Sequence, residues 1–107
     1  MKDSADHSAY LQIYAVARAI PAGRVTSYGR LATLSGHPHW ARVAGYAMRA
    51  CNDGAVPCHR VLHSDGRLPA AFGVGGSALQ RNLLEAEGVA FLPDGRVDMA
   101  RFAWRGE

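Results

Sequence analysis

Apolar residues recur at three- and four-residue steps through Leu11, Ile13, Tyr14, Val16, Ala17 and Ile20, a spacing that predicts a helix over about 6–19. Ser4, Asp6 and Ser8 are available as N-caps, and Pro21-Ala22-Gly23 ends the run. Arg24-Val25-Thr26 is long enough only for a strand stub or an extended link. A second helix follows, capped by Ser27 or Thr26, with Tyr28, Leu31, Ala32 and Leu34 on its inner face and Gly36 closing it. His37-Pro38-His39 leads directly into a third helix over about 39–50. Two helices across a tight turn containing glycine form a helix-turn-helix pattern. The second of the pair is rich in small residues, Ala41, Ala44, Gly45 and Ala47. They permit close packing on a neighbouring helix, the plainer reading, or close approach to another surface.

From Asn52 to Gly76 the periodicity lapses into loop and short strand. Val61-Leu62-His63 and Arg67-Leu68 flank Ser64-Asp65-Gly66, the pattern of a hairpin with glycine where positive φ is wanted. Phe72-Gly73-Val74-Gly75-Gly76 is a glycine-rich approach to a last long helix. Ser77-Ala78-Leu79-Gln80 reads as its capping box, and it runs through Leu83 and Leu84 to Gly88. Pro93-Asp94-Gly95 marks another turn, and Val97 to Trp104 a packed terminal turn. There are no repeats and no linker, so residues 1–107 are expected to form one mostly α domain. It would carry a short β hairpin and a helix-turn-helix of winged-helix-like type.

Composition narrows this little. Apolar residues are 49% and charged residues 20% of the chain, which excludes the disordered class. The net charge of +3 is compatible with a polyanionic partner without requiring one. No stretch approaches the ~18 apolar residues of a membrane span, and the polar N-terminus lacks a signal-peptide run. A cytoplasmic location and no membrane partner are therefore expected, with Cys51 and Cys58 as free thiols. Cys51, Cys58, His59 and His63 match no familiar zinc spacing, and His37-x-His39 suits a surface turn, so no metal is expected.

Cys58 is the residue with the most unusual neighbours, standing in Pro57-Cys58-His59-Arg60-Val61. Proline stiffens the turn, and an imidazole and a guanidinium next in sequence would favour thiolate, the nucleophilic form. A small buried hydrophobe accounts for such a cysteine equally well. No local signature supports a cysteine-protease arrangement. Residue chemistry alone leaves nucleophile and buried thiol open.

The same pentapeptide resembles the acceptor motif of the O6-alkylguanine-DNA alkyltransferases and their relatives, the alkyltransferase-like proteins. The likeness runs from about Leu11 to Gly88. Ile20-Pro21-Ala22-Gly23-Arg24-Val25-Thr26-Ser27-Tyr28-Gly29 resembles the family's opening block, Ala41 to Arg49 its DNA-recognition helix, and Leu83-Leu84-Glu85-Ala86-Glu87-Gly88 its closing helix. The resemblance implies binding to double-stranded DNA containing O6-alkylguanine, with the damaged base flipped out of the helix. Arg42 would fill the hole that the base leaves, and Tyr28 would crowd the adjacent phosphate. The small residues of the recognition helix, Ala41 and Gly45 among them, would enter the minor groove, where readout is weakly sequence-specific. Cys58 would accept the alkyl group irreversibly, with His59 relaying a proton through water to Glu87, and Arg60 would support the turn. Asn52 lies near the family's hinge asparagine, although the loop is shorter here and Cys51 falls at the nearer register. No cofactor is implied, and a monomer is expected.

Three departures from the family pattern bear on function. No zinc-bearing N-terminal domain of the kind some members carry is expected. Where the family's pocket loop reads Tyr-Ser-Gly-Gly, this chain has Gly73-Val74-Gly75-Gly76. Two hydroxyl donors to the base are thereby lost, although the Val74 N–H remains, and each lost bond to a transition state costs ~1–3 kcal/mol. The short chain and its Trp104 ending resemble the alkyltransferase-like proteins, which replace the cysteine that this chain keeps. Two functions follow from the resemblance. The leading one is a single-turnover methylated-DNA–protein-cysteine methyltransferase that moves the alkyl group to Cys58. The other is a non-enzymatic lesion sensor that hands the base to nucleotide excision repair proteins.

Overall fold

The structure, a computed structural model, describes residues 2–107, with side chains from residue 8 onward. In chain order the elements are α1 (Lys2–Ala17), β1 (Thr26–Ser27), α2 (Tyr28–Leu34), α3 (Ala41–Ala50), β2 (Val61–Leu62), α4 (Gly76–Ala86) and α5 (Met99–Phe102). A single 3-10 turn, Cys58–Arg60, precedes β2. Helix α1 starts upstream of the expected point, so Ser8 lies within it. The caps expected of the Ser4 and Asp6 side chains lie outside the described residues.

Helices α1, α2 and α3 enclose the larger core. Ile13, Ala17, Ile20, Leu31, Ala32, Ala44 and Ala47 are buried there, joined by Met48, Val56, Val61 and Trp104. The apolar spacing of α1 continues to Ile20 past the helix end, and the Tyr14 hydroxyl ties α1 to α3 by donating to the Ala47 carbonyl at 2.8 Å. Ser27 caps α2, its Oγ accepting from the Arg30 N–H at 3.0 Å. A smaller core of Val25, Leu62, Leu84, Val89 and Val97 lies beneath the closing helix. Val61 belongs to one core and its neighbour Leu62 to the other, since alternate residues of a strand face opposite ways.

The pairing of β2 differs from the expected hairpin. Its turn does form: the His63 N–H donates to the Arg67 carbonyl at 3.1 Å and the Gly66 N–H to the His63 carbonyl at 2.9 Å. The strand itself pairs in parallel with β1, Thr26 opposite Val61 and Ser27 opposite Leu62. Such a pair needs a long crossover, and α2 and α3 supply it. On its other flank the β1 segment pairs through Val25 with Ala103, also in parallel.

The capping box expected at Ser77 is also replaced. Helix α4 begins at Gly76 with Gly75 as N-cap and no side-chain cap. Gln80 is fully buried, and its Nε2 donates to the carbonyls of His59 at 3.1 Å and Val61 at 3.2 Å. Helix α4 thereby braces the turn that carries Cys58. Among the described residues no helix is long and apolar enough to cross a membrane.

Candidate functional site

A cleft of about 930 Å3 opens between the helix-turn-helix and the chain from Cys58 to Gly73, within the ~300–1,000 Å3 range of small-ligand sites. Tyr28 and Gly29 of α2 form one edge, and Ala41, Arg42, Gly45, Tyr46, Met48 and Arg49 of α3 another. Cys51, Cys58, Val61, His63 and Ser64 lie opposite, and the loop from Pro69 to Gly73 closes the rim. Five of the residues singled out from sequence therefore share this space: Tyr28, Ala41, Arg42, Gly45 and Cys58.

The small residues of α3 divide between two jobs. Ala44 and Ala47 are buried against the core, whereas Ala41 and Gly45 face the cleft. A Cβ on Gly45 would stand 4.0 Å from the Tyr28 ring, an ordinary contact. The fold itself would tolerate alanine there, so the bare backbone serves the open space of the cleft.

The chain is sharply turned at Cys58. Its N–H donates to the Val56 carbonyl at 2.8 Å, and the Arg60 N–H to that of Pro57 at 3.0 Å. A 3-10 helix has about three residues per turn, so successive side chains diverge widely. Cys58 faces the cleft, while His59 and Arg60 point away from it and meet on Glu87. His59 Nε2 lies 2.7 Å from Glu87 Oε2, and Arg60 donates through Nη2 to Oε2 at 2.7 Å and through Nε to Oε1 at 3.0 Å. Arg60 also donates to the Ile20 carbonyl at 2.8 Å, and the Gly23 N–H to Glu87 Oε1 at 3.3 Å. Burial alone would raise the Glu87 pKa, but the hydrogen bonds from Arg60, His59 and Gly23 outweigh it and hold the carboxyl down at about 2. An ionised Glu87 can only accept, so the Nε2 of His59 carries the proton of that bond and Nδ1 is the ring's other nitrogen.

The Cys58 thiol is correspondingly unactivated. Burial, then the adjacent Cys51 thiol, push its pKa up to about 12. This reverses the thiolate-favouring effect expected from the neighbours in sequence, because the Arg60 charge is spent on Glu87. Tyr14, behind the two cysteines, is likewise pushed up to about 12, by burial and then by Cys51 and Cys58. The Tyr28 phenol is raised by burial, partly opposed by Arg49, and stays a neutral donor.

The remaining sequence-derived positions do not line the cleft. His59, Arg60 and Glu87 stand behind its wall. Asn52 is exposed beside it, and Cys51 occupies the cleft instead. Val74 projects fully into solvent and Gly75 caps α4. Conversely, Cys51, His63, Ser64 and Arg49 line the cleft without having been singled out as site residues. The alternation of Val61 and His63 about buried Leu62 was the available signal for His63. Among the described residues no group of three or more His, Cys, Asp or Glu is placed to hold a metal ion.

Residues 8–89 match the family described as 6-O-methylguanine DNA methyltransferase, DNA binding domain. The chain belongs to this family. Its members are DNA alkylation-repair proteins that bind damaged DNA. A DNA base-flipping protein of Vibrio parahaemolyticus serotype O3:K6 is 34% identical over 98 residues, covering 89% of this chain and 94% of that one. The methylated-DNA–protein-cysteine methyltransferase of Mus musculus is 38% identical over 78 residues, covering 72% of this chain and 36% of its own length. The structure of S. pombe Atl1 in complex with damaged DNA containing O6-carboxymethylguanine superposes with a TM-score of 0.79 at 31% identity. It covers 92% of this chain and 95% of that one. The mostly helical architecture with its helix-turn-helix is thus the family's DNA-binding fold.

Proposed function

We propose that the protein recognises O6-alkylguanine in duplex DNA by drawing the base into the cleft and holding it there without rapid transfer. The observation that carries this reading is the Cys58 thiol. Its neighbours His59 and Arg60 are turned onto Glu87 and away from the sulfur, and burial with the adjacent Cys51 pushes the thiol up, so the nucleophilic thiolate is disfavoured. The pocket loop offers no hydroxyl to polarise the leaving oxygen, since Gly73-Val74-Gly75-Gly76 carries none. Arg42, exposed on the cleft-facing side of α3, would take the place of the extruded base. Tyr28 would press on the neighbouring phosphate, with Ala41 and Gly45 giving the groove its clearance. Extrusion costs a few kcal/mol, less where the base is badly paired, so discrimination starts before the cleft is reached. A base held but not repaired requires a following step, and nucleotide excision repair proteins are the proposed recipients. The relatives of matching length are called base-flipping and alkyltransferase-like proteins, which supports the same reading.

Transfer of the alkyl group to Cys58 is the second reading, favoured by the 2.7 Å bond between His59 and Glu87. That pair could take the thiol proton through Nδ1 by way of water while sulfur displaces guanine O6 from the alkyl carbon, leaving a thioether. One experiment separates the two. Incubated with an O6-methylguanine duplex at pH 7.5, the protein should bind it in preference to undamaged duplex while the peptide carrying Cys58 keeps its mass, and Cys58→Ala should bind equally well. Stoichiometric gain of a methyl mass on Cys58 would establish transfer instead. Under either reading Arg42→Ala should weaken lesion binding tenfold or more, and unchanged affinity would overturn the docking arrangement.

A further inference from the structure

His63 has no place in the family roles assigned above, yet it lines the cleft together with Cys58. Its backbone is immobilised. The N–H donates to the Arg67 carbonyl, the carbonyl accepts from the Gly66 N–H, and Arg67 is in turn clamped to Asp65 through its N–H at 3.1 Å and its Nε at 2.7 Å. The ring is set edge-on to Tyr28, centroids 5.5 Å apart and planes at 68°. Among the described residues neither ring nitrogen hydrogen-bonds to protein. By contrast His37 is joined to Gln12 and His59 to Glu87. The cleft thus holds a fixed, half-buried imidazole with hydrogen-bonding capacity to spare. It also needs such a group, because the loop from Gly73 to Gly76 carries no side-chain donor and Val74 turns away.

We infer that His63 is the side chain that reads the flipped base, supplying from the wall of the cleft the side-chain hydrogen bond to the alkylated guanine for which the pocket loop carries no side-chain donor. The inference rests on the base-flipping reading and names a specificity-determining residue within it. An imidazole suits the role because its two nitrogens offer one donor and one acceptor in the neutral ring, or two donors when protonated. An O6-alkylguanine edge presents both kinds of partner. A buried polar contact of this kind discriminates strongly, since a mismatched base leaves it unpaired.

Three variants separate reading from support. His63→Phe keeps a flat ring against Tyr28 and removes both nitrogens; His63→Gln keeps a donor and an acceptor without the ring; His63→Ala removes everything. The ratio of Kd for undamaged to O6-methylguanine duplex is measured by fluorescence anisotropy for each. The wild type should prefer the lesion, His63→Phe and His63→Ala should each lose about tenfold of that preference, and His63→Gln should keep most of it. Affinity for undamaged duplex should stay within about twofold throughout, since that term is carried by phosphate contacts. If His63→Phe keeps the full preference, the ring merely supports Tyr28 and the inference fails while base flipping stands. If the wild type shows no lesion preference, and 2-aminopurine placed opposite the lesion reports no unstacking, the base-flipping reading itself falls and takes this one with it.

Discussion

Replacing Glu87 with glutamine preserves the side chain's shape and removes its charge where Arg60, His59 and the Gly23 N–H converge. Folding lowers this carboxyl from its ordinary pKa of 4.5 to about 2. At about 1.4 kcal/mol for each pKa unit, the ionised group contributes on the order of 3 kcal/mol to stability. The folded value is the lower one, so this contribution is fully present above pH 4.5 and is lost as the pH falls towards 2. The Arg60 and Glu87 side chains are only 17% and 18% exposed, so solvent relieves little of the loss when the pair is broken. Urea unfolding at pH 7 should therefore find Glu87→Gln less stable by about 3 kcal/mol, a large part of the ~5–15 kcal/mol typical of a domain. At pH 3 the deficit should shrink to less than half, because the unfolded wild type is by then protonated at Glu87 and folding must displace that proton. Asp65 and Asp94 are also held below the usual carboxylate range, by hydrogen bonds from the Arg67 and Arg96 backbone and side chains, but they titrate alike in both proteins. A deficit that stays constant from pH 7 to pH 3 would refute the assignment of a charged Glu87 to this network.

Iodoacetamide should alkylate Cys58 slowly at pH 7, at a rate still rising steeply beyond pH 9 where an ordinary cysteine levels off, and Cys51→Ala, by removing a neighbour that raises the Cys58 pKa, should speed labelling at pH 8. Peptide mass spectrometry reads both rates, and fast labelling of Cys58 at pH 7 would contradict the site electrostatics. Gln80→Ala should destabilise by about 2–4 kcal/mol in urea unfolding, since it empties a buried site and strips the His59 and Val61 carbonyls of their donor. The two Asp-Gly-Arg turns offer a controlled pair. Gly66 has φ +93 and a Cβ there would meet the Val97 carbonyl oxygen at 2.5 Å, whereas Gly95 has φ +91 and open space. Gly95→Ala should cost only the ~1–2 kcal/mol of left-handed backbone. Gly66→Ala should cost clearly more, and equal shifts in Tm would show that the Gly66–Val97 contact can relax.

The helices were legible because their information is local: apolar spacing located α1, α2 and α3, and Ser27 announced its own cap. The pairing of β1 with β2 was not, since Thr26 meets Val61 across the whole helix-turn-helix and neither two-residue strand carries a register signal. The Ser64-Asp65-Gly66 turn suggested a hairpin because turn chemistry is local, whereas the strand partner is chosen by the cores on either side of Leu62. At the site, order along the chain misled in one instructive way. His59 and Arg60 adjoin Cys58 in sequence, but the 3-10 turn aims them at Glu87, so adjacency promised an activated thiol and geometry gave a protonated one. Ser77 was likewise read as a cap from its spacing to Gln80, although Gln80 is wanted in the interior by two carbonyls that belong to another segment.

The β1 segment is flanked on one side by Val61 and Leu62 and on the other by Ala103, with the Val25 N–H donating to the Phe102 carbonyl at 2.9 Å and the Trp104 N–H to that of Val25 at 2.6 Å. This has a consequence for biosynthesis, because chains fold as they emerge from the ribosome, N-terminal portions first. By the time α3 is out, the helix-turn-helix sequence is complete but its inner seam is open, lacking β2, the Ala103 bridge and the Trp104 side chain that helps fill the larger core. Those contacts are distant in sequence and slow to form. The element that would meet DNA is thus synthesised early and the wall that would hold a base is finished late, so a nascent chain stalled before Trp104 should bind duplex weakly and without regard to damage.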